Sequence, residues 1–167
     1  NGVTDLSTIN DLIASGHHQE CLQACKNVLQ ANPEETFALK YAGKSLLALG
    51  QYEKAQHCLI KAHQLDASDP EILKDIGNVF NAIHKYLEAK KYYNLSLEIN
   101  PNYAPAINNL GLIAKKQGDL QEAQLLLERA RDLNPECAPF HFNLGSVYKD
   151  LGQFDQALVS LFKSLQI

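Results

Sequence analysis

Residues 109–123 read NLGLIAKKQGDLQEA, and residues 143–157 read NLGSVYKDLGQFDQA. The two stretches lie 34 residues apart and share Leu-Gly, a second glycine and a closing alanine in the same register. The same spacing relates a set of four glycines, which are Gly43, Gly77, Gly111 and Gly145. A fixed period of about 34 residues is a signature of helical repeat arrays. The chain is therefore predicted to be an array of copied units, with no single globular core.

Each unit contains two apolar stripes with helical spacing. In the third unit, Leu73, Ile76 and Phe80 occupy positions i, i+3 and i+7 of one helix face, and a second stripe begins at Tyr86. Each unit is therefore expected to be a helical hairpin. The predicted first helices are 5–14, 37–48, 71–82, 105–116 and 139–150. The predicted second helices are 19–30, 53–65, 87–99, 121–133 and 155–166.

The recurring small residues have two expected roles. A glycine in the middle of a helix costs about 1 kcal/mol relative to alanine, so the four repeated glycines are expected to allow close approach of the two helices. The alanines expected to face them are Ala55, Ala89, Ala123 and Ala157. A second set of glycines is expected to end first helices in the left-handed conformation, namely Gly50, Gly118 and Gly152.

The composition excludes several classes of protein. The net charge is −4, whereas a general nucleic-acid binder is normally basic. No stretch approaches the roughly 18 apolar residues that a membrane span needs, and the first residues lack the pattern of a signal peptide. Four cysteines without a disulfide pattern favour a reducing, cytoplasmic setting. The chain has no Met and stops inside a helical pattern, so it is expected to be a fragment of a longer protein.

The repeated motif resembles the tetratricopeptide repeat (TPR). The match runs through Leu144, Gly145, Tyr148, Gly152 and Phe154 in the last unit and is equally clear from residue 110 to residue 135. The resemblance implies an all-α, right-handed superhelical solenoid of five antiparallel helix hairpins. The expected repeats are 2–35, 36–69, 70–103, 104–137 and 138–167, which together form a single domain. The first repeat departs from the motif, because Ile9 replaces the small glycine.

The resemblance also implies that the first helices line a concave surface that binds an extended peptide or a helix. Positions on this face are rich in Lys and Asn and nearly free of acids, so the sequence predicts that charge is segregated there. Asparagine amides can pair with a peptide backbone, and Lys ammonium groups attract a carboxylate. The partner is therefore expected to be a protein or peptide, either acidic or with a free C-terminal carboxylate. The predicted binding residues are Lys40, Tyr41, Lys44, Lys74, Asn78, Asn81, Asn108, Asn109, Lys115, Asn143 and Lys149.

Two subfamily patterns compete on this face. Lys74, Asn78 and Asn109 match part of the carboxylate clamp of chaperone-binding TPR domains, but Pro139 and Asn143 stand where that clamp has Lys and Arg. Asn109 and Asn143 also resemble the asparagine ladder of the O-linked N-acetylglucosamine transferase repeat domain. A third interpretation is that these are ordinary exposed helix residues without a binding role.

The sequence offers little for catalysis or metal binding. His18, Cys21 and Cys25 would share a helix face, but both cysteines fall at core positions of the repeat, where cysteine behaves as a small hydrophobe. His141 occupies a packing position, and no phosphate loop or nucleophile motif is present. We therefore expect no metal, no cofactor and no catalytic residue.

The sequence thus predicts a non-catalytic scaffold or adaptor that binds a peptide in its groove. One alternative is the targeting domain of a larger enzyme, similar to a glycosyltransferase or a sulfotransferase, with its chemistry outside this chain. Another is a structural module that associates with itself through apolar residues of its last helix. Those residues are Leu158, Leu161, Phe162 and Leu165.

Overall fold

The computed structural model describes residues 5–167. Within that range the chain forms ten α-helices and no β-strand. Their bounds are α1 Leu6–Ala14, α2 His18–Ala31, α3 Thr36–Ala48, α4 Tyr52–Leu65, α5 Pro70–Ala82, α6 Tyr86–Ile99, α7 Ala104–Lys116, α8 Leu120–Leu133, α9 Ala138–Asp150 and α10 Phe154–Gln166. Every predicted helix is present, with each end within one residue of its expected position. Residues 2–4 of the first expected repeat lie outside the described residues.

The turns inside the hairpins have the expected left-handed residues. Gly50, Gly118 and Gly152 have φ angles of 76°, 84° and 77°. His84 stands at the equivalent position of the third hairpin with φ 61°. The backbone N–H of the residue after Gly50 bonds to the Leu46 carbonyl at 2.9 Å, which closes the end of α3. These turns reverse the chain after each first helix.

The repeated glycines lie where the paired helices approach closely, as predicted. A Cβ atom on Gly111 would be 2.9 Å from both Cγ and Cδ2 of Leu127, and one on Gly145 would be 2.8 Å from Cγ of Leu161. The partner differs from the expected one, because a leucine four residues after the alanine fills the space. Ala157 contributes only its backbone oxygen, 3.3 Å from the Cβ position of Gly145.

The helices group into two compact units, of which the first ends at Tyr92 and the second is Tyr93–Ile167. The core of the first unit includes Ile9, Leu59 and Ile76, all fully buried. The core of the second unit includes Leu127 and Leu144. Neighbouring first helices contact each other inside each unit: α1 contacts α3, α3 contacts α5, and α7 contacts α9. Each unit therefore has a layer of first helices.

The cysteines and His141 serve packing. Cys21 and Cys25 are fully buried in the first core, and the Cys21 thiol lies 3.9 Å from the Ile9 carbonyl oxygen. The Nε2 atom of buried His141 donates to the Pro135 carbonyl at 2.6 Å. Among residues 5–167, no cluster of three or more His, Cys, Asp or Glu side chains could hold a metal ion.

The last helix differs from the others in its exposed apolar side chains. Leu158, Val159, Phe162 and Leu165 are exposed, and Leu165 reaches 83% exposure. The sequence also predicts Leu161 in this exposed set, but Leu161 is half-buried, because its side chain packs against Gly145. The α10 helix is too short to cross a bilayer, as is every other helix in the described part of the chain.

Candidate functional site

The predicted binding residues all lie on first helices. In the first unit, α3 carries Lys40, Tyr41 and Lys44, and α5 carries Lys74, Asn78 and Asn81. In the second unit, α7 carries Asn108, Asn109 and Lys115, and α9 carries Asn143 and Lys149. The two sets are described separately below.

The three predicted lysines of the first unit, Lys40, Lys44 and Lys74, are paired with acids at the start and in the middle of α5. Lys40 Nζ lies 2.9 Å from Asp69 Oδ2 and 3.2 Å from Glu71 Oε1. Lys44 Nζ lies 2.9 Å from the same Glu71 oxygen and 2.7 Å from Asp75 Oδ2. We call these residues, together with Lys74, the α3–α5 ion cluster.

Asp75 is the buried centre of this cluster, with a side-chain exposure of 3%. Its second oxygen, Oδ1, lies 2.9 Å from Lys74 Nζ. Asp69 also accepts a hydrogen bond from the Glu71 backbone N–H at 2.9 Å and so caps α5. The three lysines face three carboxylates, so the cluster carries no formal net charge.

The predicted segregation of charge is therefore wrong for the first unit. Asp69 precedes α5, Glu71 lies in its first turn, and both contact lysines of α3. The sequence pattern gives the position of each residue within its own helix, so it does not predict this contact between two helices. Burial alone would raise the pKa of Glu71, but the attraction of Lys44 and Lys40 lowers it to about 2. Burial alone would lower the pKa of Lys44, but Asp75 and Glu71 raise it above its ordinary value.

The remaining first-unit residues are partly buried. Tyr41 packs against the apolar core, and Lys40 Nζ lies 5.8 Å from the centre of its ring. The Oδ1 atom of Asn81 is buried and has no hydrogen-bond partner among residues 5–167. Asn78 is half-buried on the same helix.

The second unit has a chain of three amides across α7 and α9. Asn143 Nδ2 donates to Asn108 Oδ1 at 3.1 Å, and Asn108 Nδ2 donates to Asn109 Oδ1 at 3.1 Å. Asn108 is only 6% exposed, although the sequence placed it at an exposed position. Asn109 and Asn143 are half-buried. Asn108 thus connects the two residues of the expected asparagine ladder. We call Asn108, Asn109 and Asn143 the amide chain.

Two lysines lie towards the ends of the same helices. Lys115 Nζ donates to Ser146 Oγ at 2.6 Å and lies 3.7 Å from Asp150 Oδ2. Lys149 is exposed and forms no ion pair within the described range. The end of α9 therefore offers a solvated cation close in sequence to the amide chain.

The repeat pattern identifies the family. Three family models, each described as tetratricopeptide repeat, match residues 42–69, 68–136 and 108–167. Their matches run without a gap from residue 42 to residue 167. The chain belongs to the tetratricopeptide repeat family. No curated protein sequence matches this TPR chain.

Solved TPR structures share its fold. A thermophilic TPR protein of Thermus thermophilus is 23% identical with a TM-score of 0.88, and the match covers 96% of this chain and 88% of that one. MamA is 24% identical with a TM-score of 0.70, covering 98% of this chain and 94% of that one. YrrB, described as a TPR protein with an unusual peptide-binding site, is 20% identical with a TM-score of 0.61, covering 96% of this chain and 83% of that one.

Family and fold together make this chain a protein-interaction scaffold. Sequence reasoning missed the partners that occupy its polar residues, which are Asp69, Glu71, Asp75 and Ser146. Of these, Asp69 carried a signal, because an Asp directly before Pro70 is typical of a helix N-terminus.

Proposed function

We propose that the TPR chain is a non-catalytic binding module that takes up an extended peptide along α7 and α9. The amide chain is the observation that carries the proposal. Three asparagines on neighbouring first helices are linked in one hydrogen-bonded row, which fixes the direction of their amides. A fixed amide can pair with a peptide group whatever the side chain of that peptide residue.

Pre-organisation favours this role over that of an ordinary polar surface. A side chain that is already held loses less conformational freedom when a ligand binds. Asn143 donates to Asn108 through Nδ2, while its Oδ1 accepts no hydrogen bond from the described residues. That oxygen is proposed to accept a backbone N–H of the peptide.

The proposed partner carries a carboxylate near Lys149. In the α3–α5 ion cluster the three lysines already face three acids, so an incoming acid would have to displace one of those carboxylates. Exposed Lys149 has no such competitor within residues 5–167, and Lys115 lies one helix away. The carboxylate is either an acidic side chain or a free C-terminus.

Peptide selection tests this proposal. Short random peptides displayed on phage are selected on the protein, and binding of the selected peptides is measured by fluorescence anisotropy. Replacing both Asn109 and Asn143 with Ala is expected to weaken binding by about tenfold or more, because two amide contacts are lost. Lys149→Gln is expected to weaken the binding of only those peptides that carry a carboxylate.

The matched control is Gln121→Ala, which removes an exposed amide from second helix α8. Peptides that bind all variants equally, or a selection that enriches no peptide, would refute the proposal. Thermal unfolding of each variant separates lost binding from lost structure.

Two further observations support the proposed ligand and cellular location of this module. YrrB, whose fold this chain shares, is described as having an unusual peptide-binding site, which supports a peptide ligand for this chain. All four cysteines are free thiols, as in reducing compartments, and we propose the cytoplasm as the location.

A second proposed function is self-association through α10. The exposed apolar row of Leu158, Val159, Phe162 and Leu165 favours it, since contiguous apolar surface marks contact sites. Phe162→Ser combined with Leu165→Ser is expected to shift a concentration-dependent oligomer to monomer in sedimentation equilibrium. Leu87→Ser, which changes an isolated leucine on α6 that is 81% exposed, should leave the assembly unchanged. A wild-type protein that stays monomeric at every concentration would exclude this function.

A further inference from the structure

A pocket of about 620 Å³ opens between α2, α3 and α4 in the first unit. Leu22, Ala42 and Leu46 form its buried apolar floor. Leu29 and the half-buried Cys58 complete its walls. This pocket lies beside second helices and uses none of the residues proposed above for peptide binding. We call it the α2–α4 pocket.

The rim of the α2–α4 pocket is polar and carries more positive than negative charge. It contains Lys26, Lys54, His57, Glu53 and Gln51. Neither lysine forms an ion pair within residues 5–167. Two lysines against one glutamate leave a formal charge of +1 at the rim with His57 neutral. Gln51 directly precedes α4, and the N-terminus of a helix adds partial positive charge.

The equivalent position of the last hairpins shows one way in which this space is filled. Three repeat periods, or 102 residues, further along the chain, Tyr148 is equivalent to Leu46 and Glu128 is equivalent to Lys26. The Tyr148 hydroxyl donates to Glu128 Oε1 at 2.7 Å, and the pocket there is about 270 Å³. A tyrosine and its acid partner thus occupy space that is open beside Leu46.

The next hairpin gives a second comparison. One repeat period further along the chain, Phe80 is equivalent to Leu46 and Tyr92 is equivalent to Cys58. These two rings stack with their centroids 5.4 Å apart. An aromatic side chain therefore fills the equivalent space in these two hairpins, whereas the α2–α4 pocket has Leu46 and Cys58. The hairpin of α7 and α8 has Ala114 and Leu126 at these positions.

We propose that the α2–α4 pocket binds a small amphiphilic carboxylate with an aliphatic chain. Its volume falls in the range of about 300–1,000 Å³ that is usual for small-molecule sites. The apolar floor suits the aliphatic chain, and the lysine ammonium groups at the rim suit the carboxylate. An extended peptide fits the same pocket less well, because its backbone amides would meet only apolar side chains on the floor.

Decanoate is the probe, used below its critical micelle concentration. Binding is measured by calorimetry and by protection of thiols from N-ethylmaleimide, with labelled residues identified by mass spectrometry. Decanoate is expected to slow labelling of Cys58 and to leave the half-buried Cys137 of the second unit unchanged. Leu46→Tyr, which copies the residue at position 148, is expected to weaken binding by about tenfold or more.

Lys26→Glu copies the residue at position 128 and changes only the rim, so it tests the pocket even if Leu46→Tyr fails to fold. This variant is expected to weaken decanoate binding by a similar factor and to leave decanol binding unchanged. Lys85→Gln, which removes an exposed lysine outside the pocket, is the matched control. Equal labelling of Cys58 with and without decanoate, or equal affinity of folded Leu46→Tyr and Lys26→Glu variants, would overturn the proposal. So would decanol binding that equals decanoate binding in the wild type.

Discussion

At the scale of single residues, the repeated glycines set how closely the two helices of a hairpin pack. We predict that Gly111→Ala lowers the free energy of unfolding by about 1–3 kcal/mol, because the added methyl meets Leu127 and overpacks the hairpin. The new Cβ would lie 2.9 Å from two carbon atoms of that side chain. Helix propensity alone would give the opposite sign, a gain of about 1 kcal/mol for alanine. Urea unfolding of the two proteins measures the difference.

The same substitution in a Leu127→Ala background isolates the cause. With the leucine side chain truncated, the methyl of Gly111→Ala has room, and only the gain in helix propensity remains. The sign of the effect should therefore reverse. An equal loss of stability in both backgrounds would show that the strain lies elsewhere than at Leu127.

The sequence predicted the role of these glycines, but it did not predict which side chains they contact. The 34-residue period identified Gly111 as a point of close approach. It could not show that Leu127, and not Ala123, fills the facing space, because a period gives the phase of a residue and not the direction of its side chain. Asn108 shows the same limit: its position in the pattern looked exposed, yet α9 covers it and Asn143 bonds to it.

At the scale of helices, the α3–α5 ion cluster links neighbouring first helices and should make the first unit sensitive to acid. Glu71 has an ordinary pKa of 4.5 and a folded-state pKa of about 2. Its contribution is therefore present in full above pH 4.5 and is lost as the pH falls from 4.5 towards 2. We predict that the free energy of unfolding decreases through this window. The groups that face Glu71 are Lys40 and Lys44 of α3.

Glu71→Gln tests this dependence, because the variant lacks the titrating carboxyl. Its stability should be lower than that of the wild type at neutral pH and should change less between pH 4.5 and 2. Glu34→Gln, which changes an exposed acid outside the cluster, should follow the wild-type curve. A Glu71→Gln curve parallel to the wild-type curve would remove Glu71 as the cause.

Helix bounds followed closely from the sequence, whereas contacts between helices did not. Apolar stripes, left-handed glycines such as Gly118 and first-turn prolines such as Pro105 are local signals, and together they fix where each helix begins and ends. The pairing of Lys44 with Glu71 and Asp75 depends on which helices are neighbours. The α2–α4 pocket had a partial signal, since Leu46 stands where two other repeats have Phe80 and Tyr148, although another has Ala114.

At the scale of the whole molecule, the described residues form several local cores. Leu59 is fully buried in the first unit, and Leu127 is fully buried in the second. In repeat arrays each hairpin contacts mainly its neighbours, so stability is approximately a sum of local terms. The repeat period predicts this property, because a copied unit packs mainly on the hairpins next to it in sequence.

This locality predicts where a core mutation is felt. Leu59→Ala should cost about 2–5 kcal/mol in the packing around α3 and α4, because it leaves a cavity in a fully buried site. Hydrogen exchange measured by mass spectrometry should then show lost protection in α3 and α4, while α9 and α10 keep theirs. Leu127→Ala is the reciprocal control and should give the opposite pattern, with the loss centred on α7 and α8. If either variant lowered protection equally in all helices, the array would open as one cooperative unit, and the sum of local terms would not describe its stability.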